Sequence, residues 1–214
     1  MANQGMLAFY PLDKNGNDSS GNGFNAVVSS QVEFLDGMTG AGASFVKSGA
    51  YMTLPMSLPR YANNYTVMGW VKKVGYQNID PNPSDFGTVV GRISARHSDG
   101  ALAFWFYFDS ATQADNQAFQ IVTSVKLPLA QWVYFMVTYD QGTKKLLFYL
   151  NQQLVETHDL TGRVQDTDRP HFPYFPTMGG FSGQAYAQAS TLNGYLDEVA
   201  LMNVTSVPAG AVIS

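Results

Sequence analysis

Apolar and polar side chains alternate along most of this chain. In "QWVYFMVTYD" (131–140), Trp132, Tyr134, Met136 and Thr138 fall on one face of an extended strand, and Val133, Phe135, Val137 and Tyr139 on the other. A period of two over so many residues marks a strand. Similar segments recur at short spacing, among them "MLAFYPL" (6–12), "YTVMGWVKKV" (65–74), "ALAFWFYFD" (101–109), "KKLLFYLN" (144–151) and "GYLDEVALMN" (194–203). Turn-forming clusters such as "SGNG", "LDGMTGAG" and "DQGT" separate them. Helical spacing is hard to find outside the closing "SVPAGAVIS". The pattern predicts an all-β fold, a two-sheet antiparallel β-sandwich of the jelly-roll kind. No linker composition interrupts it, so one domain is expected over 1–204, followed by a short tail over 205–214.

Composition narrows the partners. The chain of 214 residues is low in charge (13%) and rich in aromatics (14%), which favours sheets. A net charge of −4, with basic residues scattered singly or in pairs, leaves no electrostatic footprint for nucleic acid. There is no cysteine, so neither disulfides nor thiolate metal sites can form. The longest apolar run, Ala101 to Phe108, is far too short for a membrane span. The first residues lack the pattern of a signal peptide, and the expectation is either a fragment of a longer exported chain or a protein that leaves a host cytoplasm inside a phage particle.

The stretch "DKNGNDSSGNG" (13–23) contains no apolar side chain. Asp13, Asn15, Asn17, Asp18, Ser19, Ser20, Asn22 and nearby Asn25 offer the oxygen ligands that a hard cation such as calcium needs. It is not an EF-hand, because Asp18 stands where that loop needs glycine and Phe24 where it needs glutamate. The alternative is a solvated turn whose Asn and Asp side chains cap their own backbone.

Three segments carry a family resemblance: "LAFYPLDKNGNDSSGNGFNAVV", "WVYFMVTYDQGTKKLLFYLNQQLV" and "LNGYLDEVALMN". In this order, over roughly 5–203, the chain resembles the laminin G-like, concanavalin A-like lectin/glucanase jelly roll. The resemblance implies two curved antiparallel sheets packed face to face. It also implies a structural calcium ion tying the first loop to the last strand, with Asp18 and Asn22 facing Asp197. Where the family usually places Asn-Gly in the second hairpin turn, this chain has Asn151-Gln152-Gln153, so that turn is expected to be wider or strained.

Catalysis is not expected. The three glutamates, Glu33, Glu156 and Glu198, form no array of the kind that glucanases of this architecture place on one strand. Adjacent Asp197 and Glu198 should point to opposite faces of a strand. His97, His158 and His171 read as loop or strand-end residues on the surface.

Binding is what remains. Sugar recognition uses aromatic faces with amides and carboxylates beside them. Trp105, Tyr107 and Asp109 share one face of "ALAFWFYFD", opposite Phe104, Phe106 and Phe108 of the core; a second candidate is the proline-stiffened "PHFPYFP" with His171 and Tyr174. Filling of hydrophobic space is the competing role for both sets. The expected function is a non-catalytic recognition or decoration module, binding a glycan or a protein surface. The setting expected is a phage virion surface, as a homo-oligomer or attached to a symmetric assembly. Alternatives are a secreted carbohydrate-binding module and a divergent glycan hydrolase or lyase.

Overall fold

The structure is a computed structural model and describes residues 5–59, 63–80, 85–109, 117–166, 169–170, 177–180 and 190–205. Among these, every regular element is a strand. In chain order they are β1 (Met6–Tyr10), β2 (Val27–Val28), β3 (Glu33–Asp36), β4 (Ala41–Phe45), β5 (Met52–Thr53), β6 (Asn64–Lys73), β7 (Phe86–Val90) and β8 (Ile93–Arg96). There follow β9 (Ala101–Asp109), β10 (Gln117–Lys126), β11 (Val133–Asp140), β12 (Lys145–Leu150), β13 (Gln153–Asp159), β14 (Arg169–Pro170), β15 (Thr177–Met178) and β16 (Gly194–Met202).

They form two antiparallel sheets, the sandwich that the alternation predicts. The first runs β13-β12-β11-β6-β16-β4-β3, with β1 also pairing β16. The second runs β10-β9-β8-β7-β15-β5-β2, with β14 on β9. One core lies between them, to which β11 contributes Val133, Phe135, Val137 and Tyr139, as its period of two requires. Phe104 stacks on Tyr65 (ring centroids 5.8 Å apart), and Phe106 lies between Phe119 (5.2 Å) and Tyr139 (5.0 Å). These rings join side chains of both sheets, each adding about 0.5–1.5 kcal/mol beyond its buried area.

β16 is the strand on which the first sheet depends. Over Gly194–Leu196 its neighbour is β4, and over Val199–Met202 it is β1, while β6 pairs it along both halves. The change of neighbour coincides with a bulge between Asp197 and Ala200. Glu198 there has a left-handed backbone, φ 48°. A bulge puts two residues opposite one and breaks the alternation of side chains.

The hairpin β12–β13 closes on Asn151 and Gln152, with φ 48° and 68°. Positive φ at both positions is what a two-residue type I′ turn demands. The turn is therefore tight rather than wide, and it is strained because Gln152 adopts a backbone that glycine would enter freely, at a cost of about 1 kcal/mol. Asn151 offsets this: its Oδ1 accepts the Tyr134 N–H at 3.1 Å.

The open side of the sandwich is closed by side chains. Glu156 of β13 accepts the Ser124 N–H (2.8 Å) and hydroxyl (2.6 Å) of β10, and its other oxygen meets His158 Nε2 at 2.6 Å.

At one end of the core His97 is sealed, only 5% exposed, with neither ring nitrogen hydrogen-bonded. It is an interior residue, not the surface one that its turn-like sequence suggests. The Lys73 ammonium is also buried and donates to Leu192 O at 2.9 Å. Asp80 accepts from the Thr191 N–H (2.8 Å) and hydroxyl (2.9 Å), fixing the segment that enters β16. Burial lowers the Lys73 pKa to about 8. Burial, with the Lys73 charge, lowers that of His97 from 6.5 to about 4, against the opposing pull of Asp80 and Asp85. The neutral imidazole therefore contributes stability that is complete above pH 6.5. That stability declines as pH falls through the 6.5–4 window, because the unfolded chain takes up the proton first. In urea denaturation the wild type should lose on the order of 3 kcal/mol more than His97→Gln between these limits. Parallel pH profiles of the two proteins would contradict this account.

Candidate functional site

The opening loop answers to its own strand. Asp18 accepts N–H groups from Phe9 (2.9 Å), Ser20 (2.8 Å) and Phe24 (2.9 Å), and the Ser20 hydroxyl at 2.9 Å. Asn22 Nδ2 donates to Met6 O (3.0 Å) and Leu7 O (2.9 Å). The Ser19 N–H reaches Phe9 O at 2.7 Å. The oxygen-rich side chains thus occupy the backbone groups that β1 leaves bare on the side away from β16, as an edge strand requires. Partial burial opposes ionisation of Asp18, but its donors prevail and hold the carboxyl below its usual pKa.

Asp197 belongs to a different cluster. It is fully buried, and its Oδ2 accepts the N–H groups of Met38 (2.8 Å) and Thr39 (3.0 Å) from the turn between β3 and β4. Asp13 braces the same turn by accepting the Ala41 N–H at 3.1 Å. Leu12, just before it, has φ 63°. No hydrogen bond of Asp18 or Asn22 reaches Asp197, and the carboxylates in electrostatic reach of Asp197 include those of Asp13 and the adjacent Glu198. The structure therefore groups Asp197 with Asp13, where the resemblance implied Asp18 and Asn22. Among the described residues no three carboxylate or imidazole groups converge as a ready-made metal cage.

A fit to a cation survives on the Asp13 side. Asp197 Oδ1 is buried without a partner, and a buried unpaired oxygen is costly. Burial, with the Asp13 charge, raises the Asp197 pKa despite the N–H groups of Thr39, Met38 and Glu198. Beside Asp13, on the side away from Asp197, lies an open cleft of about 600 Å³, lined also by Lys14, Asn15, Asn17, Ser19 and Gly40. Asp13 and Asp197, with carbonyls of the neighbouring turns, would hold the ion; Asp18 has its oxygens committed to N–H and O–H donors.

Glu198 departs from the expected alternation. Its position in the bulge leaves it on the same outer face as Asp197, beside Trp70 and Tyr134. Burial raises its pKa, and the charges of Asp197 and Asp13 add to this. Bulge chemistry of this kind carries only a weak sequence signal, since no glycine marks the left-handed residue.

The candidate ligand face lies on the second sheet. Phe104 and Phe106 are in the core, so Trp105, half-buried, points to the outer face. It pairs directly with Gln120 of β10, and the neighbouring row pairs Ser94 with Ala103. Gln120 Nε2 and the Ser94 hydroxyl are both without a hydrogen-bond partner. Tyr107 and Asp109 continue β9 in backbone register, opposite Ala118 and Arg169, while their side chains lie outside the described residues. His171 and Tyr174 also lie outside the described residues.

Ser124, Glu156 and His158 do not compose a nucleophilic triad. Glutamate stands between the hydroxyl and the imidazole, so the imidazole, the general base of such a triad, does not contact the serine oxygen.

In sequence, residues 46–209 match the Laminin G type model described as the concanavalin A-like lectin/glucanases superfamily. β1 to β4 lie outside that span, yet β1 and β4 pair the same β16. No curated protein matches the sequence. The structure is similar to the binding domain of Paraclostridial Mosquitocidal Protein 1, with TM-score 0.64 and 14% identity over 95% of this chain and 50% of that one. It is similar to the botulinum neurotoxin serotype G binding domain, with TM-score 0.61 and 14% identity over 94% of this chain and 48% of that one. It also resembles a mutant Trypanosoma rangeli sialidase displaying trans-sialidase activity, with TM-score 0.61 and 15% identity over 95% of this chain and 31% of that one. The chain thus spans half or less of these proteins, and the likeness is one of fold. With a family model covering most of its sequence, the chain belongs to the concanavalin A-like lectin/glucanases superfamily as a laminin G-like domain.

Proposed function

We propose that this domain is a non-catalytic glycan-recognition module that reads its ligand on the outer face of the second sheet. The observation that carries the reading is Trp105, half-buried on that face and paired in register with Gln120. An indole face stacks on the C–H surface of a pyranose, whereas Gln120 Nε2 and the Ser94 hydroxyl, both buried, back the indole from beneath. The solved structures it resembles support the choice of ligand class: one botulinum neurotoxin binding domain, at TM-score 0.55 and 11% identity, is described in complex with SialylT. The setting we propose is the surface of a phage particle, where detection of the protein in purified virions by mass spectrometry is the test.

A structural calcium ion between Asp13 and Asp197 is part of the same proposal. It would neutralise two carboxylates that share one turn, and give the unpaired Asp197 Oδ1 a partner. Its role is stability, since it sits on the first sheet and the Trp105 face on the second.

On a glycan array the wild type should bind a defined set of sugars, and Trp105→Ala should weaken that binding by about tenfold or more while leaving the melting temperature nearly unchanged. Binding that is absent throughout, or indifferent to Trp105, would overturn the reading. For the ion, added calcium should raise the melting temperature by several degrees and EDTA should reverse the gain, with Asp197→Asn unresponsive to both. A melting temperature insensitive to chelator would remove calcium from the account.

A further inference from the structure

The outer face of the first sheet is unusual for a two-layer sandwich, where solvent-facing positions are ordinarily polar. Here Met68, Tyr134, Ala200 and Met202 are buried on it, with Phe9, Trp70 and Met136 packed around them. This cluster lies outside the main core. Beside its aromatic members stands a carboxylate, Glu198.

Glu198 is only 8% exposed, and its Oε2 has no hydrogen-bond partner. Trp70 donates to the carboxylate. Tyr134 is close enough for the two charges to interact, yet its hydroxyl points to Met68 Sδ, 2.9 Å away. The Trp70 and Tyr134 rings meet edge to face, centroids 5.4 Å apart. The left-handed backbone at Glu198 holds the side chain at this spot, and strain of this kind persists only where surrounding structure enforces it.

The site's missing partner has a definite chemistry. Glu198 is an acceptor without a full set of donors, and no ion pair joins it to a basic side chain among the described residues. Lys72, on the same face, is held over the rings of Trp132 (4.9 Å) and Tyr195 (4.5 Å). A divalent ion seeks several oxygens, whereas the side of Glu198 away from Asp197 presents an indole and a phenol. An organic ammonium group suits them: aromatic faces attract it and a carboxylate accepts its protons. The half-exposed Trp70 also offers a flat surface at the entrance for a ring that carries the amine.

We propose that Trp70, Tyr134 and Glu198 form a second recognition site, which takes the free amino group of an amino sugar. This rests on the glycan reading and deepens it, giving the two sheets separate sugar contacts. Neutral sugars lie against Trp105, and a protonated amine is read at Glu198.

The experiment is calorimetric titration with a fully deacetylated glucosamine oligomer and with its N-acetylated counterpart, in calcium-containing buffer. The wild type should prefer the amine form by about tenfold. Trp105→Ala should keep that preference, and Glu198→Gln, which retains an acceptor for Trp70, should lose it. Circular dichroism would establish that Glu198→Gln is folded; if it is not, Glu198→Asp, one methylene shorter, should reduce the preference instead. Equal affinity for the two oligomers overturns this site while leaving the Trp105 reading intact. Preference that survives in folded Glu198→Gln also overturns it, as does equal binding of an oligolysine peptide.

Discussion

The first sheet depends on one strand serving two neighbours in succession. β16 pairs with β4 and then with β1, and a ladder cannot change partner without leaving backbone groups near the junction unpaired. Asp197 and Asp13 supply the acceptors: they take the N–H groups of Met38, Thr39 and Ala41 as the chain turns into β4. The bulge at Glu198 provides the change of direction. The positive φ of Leu12, the positive φ of Glu198 and the clustering of like charges all follow from that single exchange of partners. Buried carboxylates here are a structural necessity before they are anything else, and the ligands proposed for them would relieve a cost that the fold already incurs.

That origin explains why the two sheets differ in chemistry. In the second sheet the consecutive strands β7 to β10 pair as hairpins, with register shifts between Thr88 and Val90 and between Val122 and Lys126, and place small or neutral polar residues beside Trp105. The first sheet gathers strands from both halves of the chain, so its outer face carries the junction, the carboxylates and an apolar cluster of its own. A glycan meeting this domain therefore encounters a neutral aromatic surface on one side and an acidic, aromatic one on the other.

The architecture was legible from period-two alternation, because alternating burial is what a sandwich imposes on each strand. Trp105 opposite Phe104 and Phe106 was legible for the same reason. The carboxylates proposed to hold a cation were harder to read. Asp13 and Asp18 lie in the same oxygen-rich stretch, and composition does not say which carboxylate faces inward; the hydrogen bonds divide them, with Asp18 serving β1 and Asp13 serving the turn before β4. Glu198 escaped because alternation, the rule that located every other residue of its strand, fails at a bulge that no glycine announces. His97 was misjudged since its neighbours "SARHSDG" look like a surface turn, while the segment entering β16, more than ninety residues later, covers it.

The clasp between Glu156 and Ser124 has a bearing on how copies of this protein behave when crowded together. β10 and β13 are the terminal strands of their sheets, and such strands invite a neighbouring molecule to continue the ladder. Glu156 occupies the Ser124 N–H and draws the two margins toward each other. Although partial burial opposes ionisation, the Ser124 and His158 contacts keep this carboxylate charged well into mild acid. A single ionised side chain thus blunts a margin along which fibrous growth could otherwise begin.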